Sequence, residues 1–164
     1  MQPGFLAACL DACRQLHLPT AVDTCGFAPR DVVLSIAGRT DLLLWDVKHL
    51  DPSRHRELTG CPLEPILANL KAVADTGATV WLRVPVIPGI NDAESNLRAV
   101  ARLAAELPAV RRVSLLPYHR TGAGKLRRLG RVDALAHVVA PDEERMRRLA
   151  SLFADTGREV TIGG

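Results

Sequence analysis

Aromatic side chains are scarce in this chain of 164 residues, which has two Trp, one Tyr and three Phe. Proteins that bind single-stranded nucleic acid stack the bases on aromatic rings. The arginine clusters between positions 111 and 131 are therefore predicted to face solvent or a protein partner, and no nucleic acid is expected as a partner.

Long apolar runs are also missing, since none approaches the roughly 18 residues that cross a bilayer. The first residues lack the charged-then-apolar pattern of a secretory signal. These absences predict a cytoplasmic protein that does not enter a membrane. With 48% hydrophobic residues the chain has ample material for a core, and we expect a single domain over residues 1–164.

Lysine is rare too, because Lys48, Lys71 and Lys125 stand against eighteen arginines. A lysine retained in such a chain suggests a site that needs a compact charge. The four cysteines fall within helix and strand patterns, which argues for reduced thiols. We therefore expect no structural disulfide.

Four near-continuous apolar runs predict buried parallel strands at residues 19–26, 41–48, 79–88 and 112–119. Stretches with helical periodicity alternate with them, at residues 3–16, 62–76, 92–107 and 141–156, and Asp51-Pro52 marks a further helix start. The predicted fold is α/β, a partial (βα) barrel of about four parallel strands that opens with a helix.

A repeated tripeptide, Asp-Thr-Gly, occurs at residues 75–77 and 155–157. It predicts a helix end followed by a strand in both places, with a short final strand at residues 160–162. Residues 121–140 are rich in Gly, Arg and small side chains and are predicted to cross the barrel mouth as a loop. In a βα barrel a helix packs on the strand before it, so the opening helix leads us to expect that an upstream part is missing.

Every predicted strand carries polar residues near its carboxyl end, where the strands of a βα barrel converge on one mouth. The residues are Asp23-Thr24, Asp46 and Lys48, Arg83, and Tyr118-His119.

Each of these residues also has a structural explanation. Asp46 and Lys48 are two apart and share one side of a strand, so they form either a local ion pair or part of a site; the scarcity of lysine favours the site. Arg83 either pairs with Asp23 or Asp46 or binds a carboxylate ligand, because a buried arginine needs an anionic partner. His119 is either a loop histidine or a member of the same site.

His49 and His55 flank the helix start at Asp51 and are predicted to face solvent. Cys9 and Cys13 form a Cys-x-x-x-Cys pattern, which suggests an iron–sulfur cluster, but the third cysteine that this pattern needs would fall at Leu16. The two cysteines recur at helical spacing with apolar neighbours, so we predict that they fill the core.

Four segments together resemble the pyruvate formate-lyase activating enzymes and related glycyl-radical activases. They are VDTCGF, DLLLWDVKHLDPSRHRELTG, WLRVPVIPGIND and LLPYHRTGAGK, and the similarity runs in order from about Gln2 to Glu159. The resemblance implies part of a (βα)₆ radical S-adenosylmethionine barrel. In that family an electron donor and a [4Fe–4S] cluster reduce S-adenosylmethionine, and a 5′-deoxyadenosyl radical removes a hydrogen from a glycine of a partner enzyme such as a pyruvate formate-lyase.

The resemblance also implies roles for individual residues. Asp46, Val47, Lys48 and His119 match positions that contact S-adenosylmethionine, and Arg83 matches a cationic position near them. Asp23, Thr24, Trp45 and Asp46 match a site for a monovalent cation close to the carboxylate of the cofactor.

The family's Cys-x-x-x-Cys-x-x-Cys loop and its Gly-Gly-Glu-Pro segment do not occur in this sequence. We therefore expect a chain that lacks the cluster ligands and does not cleave S-adenosylmethionine alone. Two alternatives stay open: a non-catalytic fragment that docks a glycyl-radical enzyme or complements a separate N-terminal piece, and a small aldolase-like barrel with Lys48 as a Schiff-base nucleophile.

Overall fold

Five parallel strands form one sheet in the computed structural model, which describes residues 2–120, 128–130 and 132–163. They are paired in the order of the sequence: β1 (Ala21–Thr24), β2 (Leu42–Asp46), β3 (Val80–Val86), β4 (Val110–Pro117) and β5 (Glu159–Ile162). The four predicted strands and the short final strand are confirmed, although most of them are shorter than predicted. A partial α/β barrel of parallel strands is the fold.

Among the described residues, α1 (Pro3–Gln15) precedes the first strand, and the connections between strands contain α2 (Arg30–Ala37), α3 (Pro52–Thr59), α4 (Glu64–Ala74), α5 (Glu94–Glu106) and α6 (Glu143–Ser151). The carboxylates of Asp51 and Asp142 cap α3 and α6, since each accepts a hydrogen bond from the main-chain nitrogen three residues on, at 2.8 and 2.7 Å. Helix α2 is not among the predicted helices. It has eight residues and begins after Pro29 without a side-chain cap, so its sequence signal is short.

The two faces of the sheet differ in how they are covered, because successive residues of a strand point to opposite faces. One face, which we call the helix face, packs against the helices through a buried core that includes Trp45, Leu82, Leu115, Leu70 and Phe153. On the other, which we call the open face, Leu44, Asp46 and Arg83 are only partly buried. Functional side chains on the open face therefore remain accessible.

The two Asp-Thr-Gly tripeptides adopt the same local structure, as predicted. The hydroxyls of Thr76 and Thr156 donate to the carbonyl oxygens three residues earlier, at 2.7 and 2.8 Å. Gly77 and Gly157 follow with φ of 79° and 66°, a left-handed conformation that favours glycine. Each tripeptide thus ends a helical segment and turns the chain toward a strand.

The prediction that Cys9 and Cys13 fill the core is wrong for Cys9, which is exposed, while Cys13 is half-buried. Leu10 is the one buried residue of α1, and Phe5 on the same helix is 70% exposed. The apolar spacing indicated an inward face for all of these residues, but only one side of that stripe, with Leu6, Leu10 and Cys13, is turned inward. All four cysteines of the chain are free thiols.

Part of the predicted loop at residues 121–140 lies outside the described residues, namely 121–127 and 131. Residues 134–137 form a turn, and Leu135 accepts a hydrogen bond from the Tyr118 hydroxyl at 3.3 Å. This part of the segment lies next to the carboxyl end of β4. Within the described ranges, no helix is long and apolar enough to cross a membrane.

Gly26 after β1 is predicted to tolerate no side chain. Its φ is +71°, and an added Cβ would lie 2.0 Å from Cζ2 of the fully buried Trp45. We expect Gly26→Ala to lower the free energy of unfolding by about 2–5 kcal/mol, measured by urea denaturation, because strain and overpacking add.

The matched control is Gly60→Ala, since Gly60 has φ +74° and no atom within 4 Å of its added Cβ. It should lose only the conformational part, about 1–2 kcal/mol. Equal losses in the two variants would show that Trp45 does not constrain Gly26.

Candidate functional site

An ion-pair network joins the first three strands on the open face. Asp46 Oδ1 accepts hydrogen bonds from Arg83 Nε at 2.9 Å and Nη2 at 2.8 Å, and Asp23 Oδ2 accepts from the same Nη2 at 2.6 Å. The register explains the contact, because Asp46 lies directly opposite Arg83 in the β2–β3 pair. The structure therefore brings together three of the predicted site residues.

The network is partly shielded from water, with side-chain exposures of 22% for Arg83, 21% for Asp46 and 57% for Asp23. Burial acts to lower the pKa of Arg83, but the hydrogen bond and charge of Asp46, followed by those of Asp23, outweigh it and raise that pKa. The guanidinium is thus firmly charged. Arg83 therefore pairs with Asp23 and with Asp46 at the same time.

Lys48 lies in the loop after β2 and is partly buried. The ion-pair partner of Asp46 is Arg83 and not Lys48, so the local pair considered from the sequence does not form. Lys48 instead lines a cavity of about 400 Å³ together with Pro85, Ile87 and Leu135. The cavity opens at the carboxyl ends of β2 and β3, beside the ion-pair network.

Three predicted site residues turn their side chains away from the open face. Val47 and Trp45 belong to the buried core, and Thr24 lies opposite Trp45 in the β1–β2 pair and so shares its face. The Thr24 hydroxyl accepts a hydrogen bond from Gly26 N at 2.9 Å. The side chains of Thr24, Trp45 and Val47 therefore do not face the open face.

His119 is exposed and follows the end of β4 by two residues. The neighbouring Tyr118 is fixed, since its main-chain nitrogen donates to Val86 O at 3.0 Å. His119 therefore lies at the same carboxyl edge of the sheet as Lys48.

Two buried asparagines beside Lys48, Asn91 and Asn96, were not predicted from the sequence to be part of this region. Both amide hydrogens of Asn91 are used, one on Lys48 O at 3.0 Å and one on Pro85 O at 2.6 Å, and its Oδ1 accepts from Ile87 N at 2.8 Å. Asn96 in turn donates to Asn91 O at 2.8 Å. Asn91 thus holds the loop that carries Lys48 against the end of β3. The sequence feature that could have predicted this role is the pair of polar residues, Asn91 and Asp92, that follows a buried strand.

The same motif contains Asp92, whose side chain is 6% exposed. Asp92 accepts from Gly89 N at 2.8 Å and forms an ion pair with Arg145 of α6. The motif is thus a structural unit that fixes the loop after β3.

The prediction that His49 and His55 face solvent is wrong, because they are only 8% and 3% exposed. His49 Nδ1 accepts a hydrogen bond from Asp51 N at 2.9 Å, and His55 Nδ1 lies 3.0 Å from Cys61 O. Both imidazoles pair with main-chain groups of the loops around α3, which makes burial favourable. Burial lowers the pKa of His49 below its ordinary value of 6.5 despite the opposing charge of Asp51.

In the part of the chain that the structure describes, no group of three or more His, Cys, Asp or Glu side chains could hold a metal ion. An iron–sulfur cluster therefore has no set of ligands among these residues. For a monovalent cation, the two carboxylates at Asp23 and Asp46 are already bridged by Arg83.

Known proteins resemble the chain over almost its full length. It is 42% identical over 133 residues to the choline trimethylamine-lyase activating enzyme of Oleidesulfovibrio alaskensis, covering 79% of this chain and 43% of the relative. It is 40% identical to the isethionate sulfite-lyase activating enzyme of Nitratidesulfovibrio vulgaris, covering 94% and 50%. The chain thus spans about half the length of these curated relatives, and no protein-family model matches it.

A crystal structure of a domain of pyruvate-formate lyase-activating enzyme from Bacteroides vulgatus superposes with a TM-score of 0.83 at 31% identity. The match covers 99% of this chain and 92% of that domain. The chain belongs to the glycyl-radical enzyme activating enzymes of the radical S-adenosylmethionine superfamily.

Asn91 gives a test of the loop that carries Lys48. Asn91→Asp is isosteric, but it places a carboxylate against the carbonyl oxygens of Lys48 and Pro85. We expect it to lose about 2–4 kcal/mol of unfolding free energy at neutral pH, at least as much as Asn91→Ala, because buried acceptors are left facing each other. A milder loss in Asn91→Asp, measured by urea denaturation, would contradict this arrangement.

The lowered pKa of His49 predicts that the free energy of unfolding falls in acid. Because its folded pKa is depressed, the neutral ring stabilises the fold fully above pH 6.5, and this contribution is lost as the pH falls through the folded pKa. His49→Asn keeps an acceptor for Asp51 N without a titrating group. Unfolding free energies measured from pH 7.5 to 5 should fall more steeply in the wild type than in His49→Asn, and parallel curves would refute the assignment.

Proposed function

We propose that this chain forms the S-adenosylmethionine-facing wall of a glycyl-radical enzyme activase. The match to a domain of pyruvate-formate lyase-activating enzyme over 99% of the chain carries the proposal. The open face supports it, because Asp46 ends β2, Lys48 follows in the next loop, and Arg83 of β3 lies directly opposite Asp46. Ligands in this fold bind at the carboxyl ends of the strands.

The proposed roles follow from charge and position. The cofactor carries a carboxylate, an amino group and ribose hydroxyls, and it needs cations and acceptors arranged around it. Lys48, on the wall of the 400 Å³ cavity, supplies a compact cation for the carboxylate. Asp46 supplies a hydrogen-bond acceptor whose position is fixed by Arg83. His119, which follows β4, supplies a further polar group.

Val47 contributes through its main chain alone, since its side chain is buried and its N–H donates to Arg83 O at 2.9 Å. The resemblance assigns a monovalent cation to Asp23, Thr24, Trp45 and Asp46, but Arg83 occupies the space between the two carboxylates. No such ion is part of the proposed function.

When bound, a reduced [4Fe–4S] cluster would donate one electron to S-adenosylmethionine, which would split into methionine and a 5′-deoxyadenosyl radical able to take a hydrogen atom from a glycine of the partner. The described residues offer no ligand set for the cluster. In this proposal the chain binds and orients the cofactor, and its apolar residues exclude water from one side of it. A glycyl-radical enzyme is the proposed partner.

To test the proposal, an N-terminal segment with the family's Cys-x-x-x-Cys-x-x-Cys loop is fused to this chain, and the fusion is reconstituted with iron and sulfide without oxygen. Under reduction, Lys48→Met should lower the formation of 5′-deoxyadenosine about tenfold or more, since it removes a charge-assisted hydrogen bond of about 1.5–3 kcal/mol.

Lys71→Met is the matched control, because Lys71 is exposed on α4, remote from the strand ends. It should leave 5′-deoxyadenosine formation unchanged. Equal activity of the two variants in a fusion that cleaves the cofactor would remove Lys48 from the site. A fusion that binds a cluster but forms no 5′-deoxyadenosine would count against the proposed function.

A further inference from the structure

We infer that the guanidinium of Arg83 takes the place of the monovalent cation between Asp23 and Asp46, so that this chain binds no such ion while Arg83 is present. The identity of the excluded ligand rests on the proposed function, whereas the exclusion itself rests on the ion pairs. The observation is that a single nitrogen, Arg83 Nη2, lies 2.6 Å from an Asp23 oxygen and 2.8 Å from an Asp46 oxygen.

A bridging ion would need the same space. A cation that neutralises two carboxylates lies between their oxygens, within coordinating distance of both. Arg83 Nη2 already lies there, and Nε holds Asp46 Oδ1 a second time at 2.9 Å. An ion and the guanidinium therefore compete for the same oxygens.

Moving the Arg83 guanidinium away from the two carboxylates would cost much free energy. Arg83 lies within β3, and its main-chain carbonyl accepts from Val47 N at 2.9 Å, so its backbone is fixed in the sheet. Its side chain is 22% exposed, and separating it from both acids would leave a largely buried charge without a partner. The pKa of Arg83 is raised, so deprotonation offers no alternative route.

The other predicted ligands do not favour an ion over the guanidinium. The Thr24 hydroxyl is engaged with Gly26 N, and the Trp45 side chain lies on the helix face. Two carboxylates with one guanidinium leave a single negative charge. Removing the guanidinium should double that charge and create the attraction for an ion that the wild type lacks.

The test compares melting temperatures of the chain in potassium, sodium and choline chloride at equal ionic strength. The wild type should melt at the same temperature in all three salts. Arg83→Gln should melt about 3–5 °C higher in potassium or sodium chloride than in choline chloride, the shift expected for an ion present at about ten times its Kd. Arg83→Lys, which keeps the charge, should behave as the wild type.

Two further variants locate the effect. Adding Asp46→Asn to Arg83→Gln should abolish the ion-specific shift, and Arg98→Gln should show none, because Arg98 pairs with Glu94 on the exposed surface of α5. Line broadening of ²³Na in solutions of the wild type gives a measurement that needs no variant to fold, and no broadening that excess potassium chloride reverses is expected.

A potassium- or sodium-specific stabilisation of the wild type, or its ²³Na broadening, would overturn the inference. So would an Arg83→Gln variant that folds and shows no ion-specific shift. These outcomes are independent of the proposed function, because they are read from the stability of the chain and not from cleavage of S-adenosylmethionine.

Discussion

The contact of Arg83 with Asp23 and Asp46 is the constraint on which the open face depends. It crosses three strands, and it forms only when the register places Asp46 opposite Arg83 and Asp23 within reach of the same nitrogen. A slip by one residue would turn Arg83 into the apolar helix face, where an unpaired charge is prohibitive. The network thus fixes which side chains line the mouth as well as their charge.

Buried amides perform the corresponding task for the loops that leave the strands. Asn69 of α4 donates to Gly26 O and Ala28 O at 2.8 and 2.9 Å, holding the loop after β1. Asn96 of α5 accepts from Leu50 N at 3.0 Å and, with Asn91, holds the loops after β2 and β3. Each loop therefore has its main-chain groups satisfied by a side chain from a later part of the chain, as buried polar groups require.

These contacts explain why the recognisable motifs contain more than ligand-facing residues. The glycine of VDTCG makes room for the Trp45 ring, and the Asn and Asp of IPGIND bond to main-chain groups. Of the motif residues, those on the open face serve the proposed site, and those on the helix face maintain the geometry. A motif matched as a string of letters combines both kinds.

The parallel α/β order and the presence of Asp23, Asp46 and Arg83 in one region could be predicted from the sequence, because apolar runs and the polar residues among them are local patterns. The strand bounds could not, and neither could the partners of these side chains. In the tertiary structure Asp46 pairs with Arg83 instead of Lys48, His49 is buried against a main-chain nitrogen, and Cys9 is exposed. The reason is physical: pairing and burial depend on the neighbouring strand and on the helix packed above, and residues far apart in the chain supply both.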